Sequence, residues 1–180
     1  TTSSRWLKTP EWLASELGKP NLVLVDASYY LPTQKRDPKA DYVAAHIPGA
    51  VFFDLNAIAD QSTDLPHMLP GPSQFAEAVG KLGITDTDTT VVYDATGLYS
   101  APRVWWTFRI FGARNVYVLD GGLPAWKAEG RPLEAGEVKR PPRAFKAAMD
   151  TGAVAMVPDV QIALNDGSAQ VVDARAADRF

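Results

Sequence analysis

The chain has no cysteine among its 180 residues and only two histidines. Without thiols it has no disulfide framework and no cysteine-based zinc site. Long apolar runs are missing as well. No window approaches the ~20 residues needed to span a bilayer, and the amino-terminal TTSSRWLKTPEW lacks an apolar core of signal-peptide length. Charge of one sign is scarce: the net charge is −3 and no Lys/Arg run exceeds two residues, with a pI of about 5.3. That balance argues against nucleic acid or an anionic membrane surface as a partner. The remaining mixture, 46% hydrophobic and 22% charged, is that of a soluble globular protein able to bury a core of its own, and it fits a cytoplasmic location.

What is present is an alternation of apolar runs and turn signals. Thr9 as a cap, Pro10 at the first helical position and Glu11 near the positive end of the dipole predict a helix over 10–17, ended by Gly18. LVLVDA (22–27) is a continuous apolar run, as in a strand buried on both faces. A polar, proline-containing stretch (31–39), a short amphipathic helix (40–45) and a turn followed by a strand in HIPGAVFFDL (46–55) come next. Gly71 and Pro72 open a helix with Phe75, Val79 and Leu82 on one side. TVVYD (90–94) and NVYVLD (115–120) read as strands, and 100–111 and 123–129 as helices. This order predicts an α/β domain with a mainly parallel sheet flanked by helices. Loops at the carboxyl ends of its strands are then the default site.

The composition changes near Leu133. Residues 134–150, EAGEVKRPPRAFKAAMD, lack helix or strand periodicity and read as a linker wrapping the surface. A helix is expected over 158–164. VVDAR (171–175) then repeats LVDAS (24–28), each copy preceded by a helix. The repetition suggests the first element of a second, homologous domain; chance recurrence of an apolar strand ending in Asp is the alternative. The expected organisation is a domain over 1–133, a linker over 134–150 and a truncated second domain over 151–180, so the chain reads as a fragment or one piece of a two-chain assembly.

VVYDATGLYSAPR (91–103) joins a strand end to a helix start. A loop of this length can turn several N–H groups inward and stabilise an anion. A Cys at the strand end would become a thiolate nucleophile in that field. Asp94 stands there instead. Its carboxylate can satisfy the N–H groups itself and leave the loop inert, or Asp94 and Ser100 can merely cap the helix.

DASYYLP (26–32), AHIPGAVFFDL (45–55), DLPHMLPGPSQFAEAVGKLGI (64–84), residues 91–126 and QVVDARAADRF (170–180) together resemble the tandem-domain rhodaneses, most closely their 3-mercaptopyruvate sulfurtransferase branch. The likeness covers nearly the whole chain and preserves motif order. It implies two rhodanese domains, a first that is non-catalytic and a second whose Cys loop carries sulfur as a persulfide. It further implies that Asp94 stands where the second domain has its Cys, a degenerate active-loop position. That Cys is absent from these residues, so the chain alone is expected to be inactive.

The resemblance carries over two working residues. His67, in DLPHMLP, matches a catalytic, cleft-facing His of the mercaptopyruvate branch, and imidazole suits proton relay or orientation of a polar oxygen. Arg179 matches a substrate anchor, a role that bidentate guanidinium fits. Asn56 lies where the family has an acidic residue that orients this His; an amide accepts the hydrogen bond but adds no charge. Arg175 is expected in a structural salt bridge and His46 in a turn shaped by Pro48 and Gly49. Trp105, Trp106 and Phe108 are expected in core and domain interface, with Arg103 and Arg109 pairing with carboxylates across that interface. Gly121 and Gly122 lack the rest of a dinucleotide fingerprint, and no metal or organic cofactor is implied. The implied function is sulfur transfer from 3-mercaptopyruvate to a thiol or cyanide, with a small-molecule donor and acceptor and a carboxyl-terminal rhodanese domain, in the same or a separate chain, as partners. A thiosulfate sulfurtransferase and a stand-alone non-catalytic rhodanese binding module are the alternatives.

Overall fold

Leu22–Asp26 (β2) is buried at every residue, as a parallel strand covered on both faces must be. Around it the computed structural model, which describes residues 4–179, assembles a five-stranded sheet in the order β1-β5-β4-β2-β3. The other strands are β1 (Leu7–Lys8), β3 (Val51–Phe52), β4 (Thr89–Tyr93) and β5 (Asn115–Leu119). Every pairing is parallel, with Val25 opposite Val92 and Val91 opposite Tyr117 in the centre. Flanking helices are α1 (Pro10–Glu16), α2 (Pro38–Ala44), α3 (Pro72–Lys81), α4 (Ala101–Ile110) and α5 (Gly122–Ala128). The chain divides into two units, Thr1–Met149 and Asp150–Phe180.

Local signals set most of these boundaries. The Thr9 hydroxyl accepts from Trp12 N–H and caps α1. Asp37 accepts from Lys39 and Ala40 N–H, so α2 opens at Pro38, two residues before the sequence expectation. Two strands depart from expectation. The strand expected within 46–55 is confined to Val51–Phe52, because its neighbours turn away to close the His46 corner. β1 has no periodicity to read in two residues and exists because it pairs with β5.

The core is two apolar clusters. Leu13, Tyr42, Leu123 and Trp126 pack with residues of β2 and β4 in one. In the other, Phe75 lies 4.6 Å from Phe111, 5.2 Å from Phe108 and 5.4 Å from Phe145, ring centre to ring centre. Phe145 comes from the segment after α5, which runs along the first unit as a strap. Glu134 bridges His46, Gly136 N–H donates to the Val43 carbonyl, and Arg143 grips buried Asp88 at 3.0 and 3.1 Å.

The second unit holds α6 (Val157–Asp166), closed by Gly167 in the left-handed region at φ 68°. VVDAR, expected as a strand, is not one: residues 171–175 belong to no strand and Val172 is 81% exposed. An apolar run becomes a strand only beside another strand, and the second unit's described residues offer none. The two motifs share one local bond. Ser28 N–H donates to Asp26 Oδ1 at 2.9 Å, and Arg175 N–H donates to Asp173 Oδ1 at 2.9 Å. The same Asx turn closes both VDA motifs. Phe180, the last residue of the second motif, lies outside the described residues.

Gly122 fixes how closely α5 approaches the β4 end. It has φ 56°, and a Cβ there would lie 2.6 Å from the Asp94 carbonyl oxygen and 2.8 Å from that of Gly97. Gly122→Ala is expected to destabilise the fold by about 3 kcal/mol, from backbone strain and overlap together. The measurement is the urea-unfolding midpoint; an unchanged midpoint would show that loop and helix do not meet this closely.

Candidate functional site

Asp94 follows the last residue of β4 and is fully buried. Its Oδ1 accepts from Thr96 N–H at 2.9 Å, Gly97 N–H at 2.8 Å and the Thr96 hydroxyl at 3.1 Å. Its Oδ2 accepts from the N–H groups of Tyr99, Ser100 and Ala101 at 2.7, 2.9 and 2.8 Å. One carboxylate thus occupies an inward-facing ring of five backbone donors, two of them at the start of α4, where the helix dipole adds to the field. Ser100 does not cap with its side chain; its hydroxyl donates to the Ala27 carbonyl at 2.7 Å. Ser28 Oγ accepts from Ala95 N–H at 3.0 Å, and Leu123 N–H donates to the Asp94 carbonyl at 3.0 Å. The loop is therefore tied to the ends of β2 and α5. With its amides turned inward, it leaves Leu98 and Tyr99 exposed.

His67 sits on the loop before α3, in the left-handed region at φ 57°. That conformation costs a non-glycine residue about 1–3 kcal/mol and needs support. Three contacts supply it. Nε2 lies 2.7 Å from Asn56 Oδ1, the Arg103 Nη2 donates to the His67 carbonyl at 2.8 Å, and the ring meets Tyr29 edge-on at 4.9 Å. Because Asn56 Oδ1 can only accept, the neutral imidazole places its hydrogen on Nε2 and leaves the lone pair on Nδ1. His67 and Asn56 line a cavity of about 220 Å³ with Asp60, Gln61 and Asp64. Tyr29 follows β2 and Arg103 stands in the first turn of α4, so His67 is drawn to the same end of the sheet as the Asp94 loop.

Arg179 belongs to the second unit, exposed, in the short turn Ala177–Arg179. Arg175 forks onto Asp173 through Nε and Nη2, and this pairing holds the Asp173 carboxyl at about 2. His46 is fully buried, with Nδ1 2.8 Å from the Tyr42 carbonyl and Nε2 3.1 Å from Glu134 Oε1, which also accepts from Gly49 N–H. Arg103 and Arg109 are expected to pair with carboxylates across the domain interface. Among the described residues neither does: Arg103 bonds the His67 carbonyl, and Arg109 stacks 4.0 Å over Trp6 beside Trp105. Within the first unit these guanidinium groups meet apolar ring faces and a carbonyl.

Sequence reasoning missed Arg103, Ser28 and Gly122 as parts of this end of the sheet. Ser28 left a signal, since it occupies in the first VDA motif the place of Arg175 in the second. Arg103 left none. Next to the loop, Asp26 and Ser28 line a larger cavity with Arg36, Asp41 and Lys127. Burial pushes the Asp26 carboxyl above its ordinary 3.8, outweighing the hydrogen bonds from Ser28 and Tyr93. Burial also drives the Tyr93 phenol upward. An acid raised in the folded state imposes no penalty below 3.8 and a growing one as pH climbs through its folded value. Asp26→Asn is therefore expected to gain stability relative to the parent as pH rises from about 4 to about 7, measured by urea unfolding; a gain independent of pH would show that Asp26 is not raised.

The rhodanese-like domain model matches residues 9–129. The 3-mercaptopyruvate sulfurtransferase of Escherichia coli is 42% identical over 179 residues, covering 99% of this chain and 64% of that protein. The thiosulfate/3-mercaptopyruvate sulfurtransferase 2 of Arabidopsis thaliana is 53% identical over 125 residues, 69% of this chain and 36% of that one. The chain thus spans less than two thirds of the length of either relative. The crystal structure of SseA from Escherichia coli, described as a 3-mercaptopyruvate sulfotransferase of rhodanese fold, superposes with a TM-score of 0.93 at 42% identity, over 98% of this chain and 68% of that one. In sequence and in fold alike, the chain belongs to the rhodanese family.

Proposed function

We propose that these residues are the amino-terminal part of a sulfurtransferase that moves sulfur from 3-mercaptopyruvate to a thiol or cyanide through a cysteine persulfide formed outside them. The observation that carries this reading is the seating of the Asp94 carboxylate among five backbone donors at a strand end. The same cradle in a second rhodanese domain suits a thiolate and its persulfide. In this reading residues 1–133 form a non-catalytic domain, 134–150 a linker and 151–180 the opening of the catalytic domain, and the protein works in the cytoplasm. No helix among the described residues is long and apolar enough to cross a membrane.

The chemistry is nucleophilic. The thiolate attacks the donor's sulfur, the carbon–sulfur bond breaks, and pyruvate leaves as its enolate and takes up a proton. Cyanide or a thiol then removes the outer sulfur. Arg179 takes the donor's carboxylate bidentately, and His67, with its Nδ1 lone pair, orients the polar end or accepts a proton. With no thiol in its 180 residues, the chain forms no persulfide alone. Use of thiosulfate is the second reading, favoured by the name of the Arabidopsis relative.

Asp94→Cys tests the cradle directly. Its thiol is expected to titrate well below the ordinary value of about 8.5, followed by thiolate absorbance across a pH series. An ordinary thiol would show that the loop is no anion cradle. In the full-length protein, His67→Ala is expected to lower turnover of 3-mercaptopyruvate several-fold. Unchanged turnover would reduce His67 to a loop residue, and a loss confined to thiosulfate would favour the second reading.

A further inference from the structure

Among the described residues Arg103 is a cation without a carboxylate partner. Its Nε is buried and unbonded, no carboxylate approaches it among the described residues, and its guanidinium lies 5.2 Å from the Trp106 ring. Desolvation pulls its pKa down. A half-buried guanidinium arranged this way is costly for a residue that serves only packing. Among the described residues the guanidinium's one hydrogen bond is the 2.8 Å bond to the carbonyl of His67. That carbonyl belongs to the residue held in a left-handed conformation, whose ring is tied at the other end to Asn56. Arg103 also stands three residues beyond Ser100, whose N–H is one of the Asp94 donors. The helix turn that completes the anion cradle is the one that grips His67.

We infer that Arg103 is a positioning residue: by holding the His67 carbonyl it fixes the imidazole with Nε2–H on Asn56 and Nδ1 free to accept a hydrogen bond. The catalytic side of this inference rests on the reading of His67 given above. The structural side does not. Without the clamp, the His67 backbone relaxes toward right-handed or extended conformations, and the bond to Asn56 loses its geometry. The Asp94 loop has its own hydrogen bonds and stays in place.

The chain's two histidines make the test direct. Long-range proton–nitrogen NMR spectra of the 180-residue chain report each imidazole, with His67→Ala assigning the signals. In the parent, His67 is expected as a single Nε2–H tautomer. In Arg103→Met its signals are expected to shift toward a tautomer mixture or broaden, while those of His46 and the amides of Thr96, Gly97 and Tyr99 stay unchanged. Unmoved His67 signals would overturn the inference, and so would equal disturbance of His46, which marks a general structural role. Should Arg103→Met fail to fold, Arg103→Lys, which keeps a cation and a donor without the planar fork, is expected to give a partial shift with the same pattern; no shift there overturns the proposal. In full-length protein, Arg103→Met is expected to lower mercaptopyruvate kcat several-fold with little change in KM, and to add nothing in the His67→Ala background. Equal losses in both backgrounds would show that Arg103 acts independently of His67. If His67→Ala alone leaves turnover unchanged, the functional reading falls, and the spectra still decide whether Arg103 holds the ring.

Discussion

One carboxylate organises the end of the sheet at which β4 stops. Removed from water, the Asp94 side chain needs hydrogen-bond donors for both oxygens, and the loop that follows it supplies them from its own backbone. To do so, residues 96–101 must curl around the strand end with their amides inward. That path decides where α4 begins, which side chains face out, and how near α5 comes. Ser28 and Ser100 pin the loop to β2, and Gly122 leaves the space for it. The loop carries its own ligand as a covalent part of the chain.

The opposite demand shapes the rest of the sheet. β3 is an edge strand of two residues, and the strap from Glu134 to Met149 covers the surface beside it rather than extending the ladder. His46 and Glu134 close that corner through paired backbone bonds and a shared side-chain contact. Phe145 reaches back into the aromatic cluster, so a segment without periodicity is still fastened by burial. An irregular segment that loses backbone hydrogen bonds to neighbours must recover them elsewhere, and the bonds to Val43, Gly80 and Phe111 do this.

Much of the fold was legible because burial on both faces leaves a continuous apolar run. β2, β4 and β5 were each read within a residue or two, as were the capped helices. β1 was not, since two residues carry no period. VVDAR shows the limit from the other side: it has the composition of β2 and the same closing turn, yet without a neighbouring strand it forms no ladder. In the site, the residue types made a buried Asp94 and an Asn56–His67 bond conceivable. They did not reveal that Arg103 reaches a backbone carbonyl thirty-six positions away.

The amino-acid sequence by itself determined the alternation of strands and helices, the absence of a thiol, the capping of the helices and the identity of the group at the end of β4. Those are properties of residues and their near neighbours. Only the tertiary structure decided that five amides converge on Asp94, that His67 is clamped between α4 and Asn56, and which apolar runs become strands. Each of those depends on hydrogen bonds at about 3 Å, and a chain meets that requirement only once distant segments have been packed together.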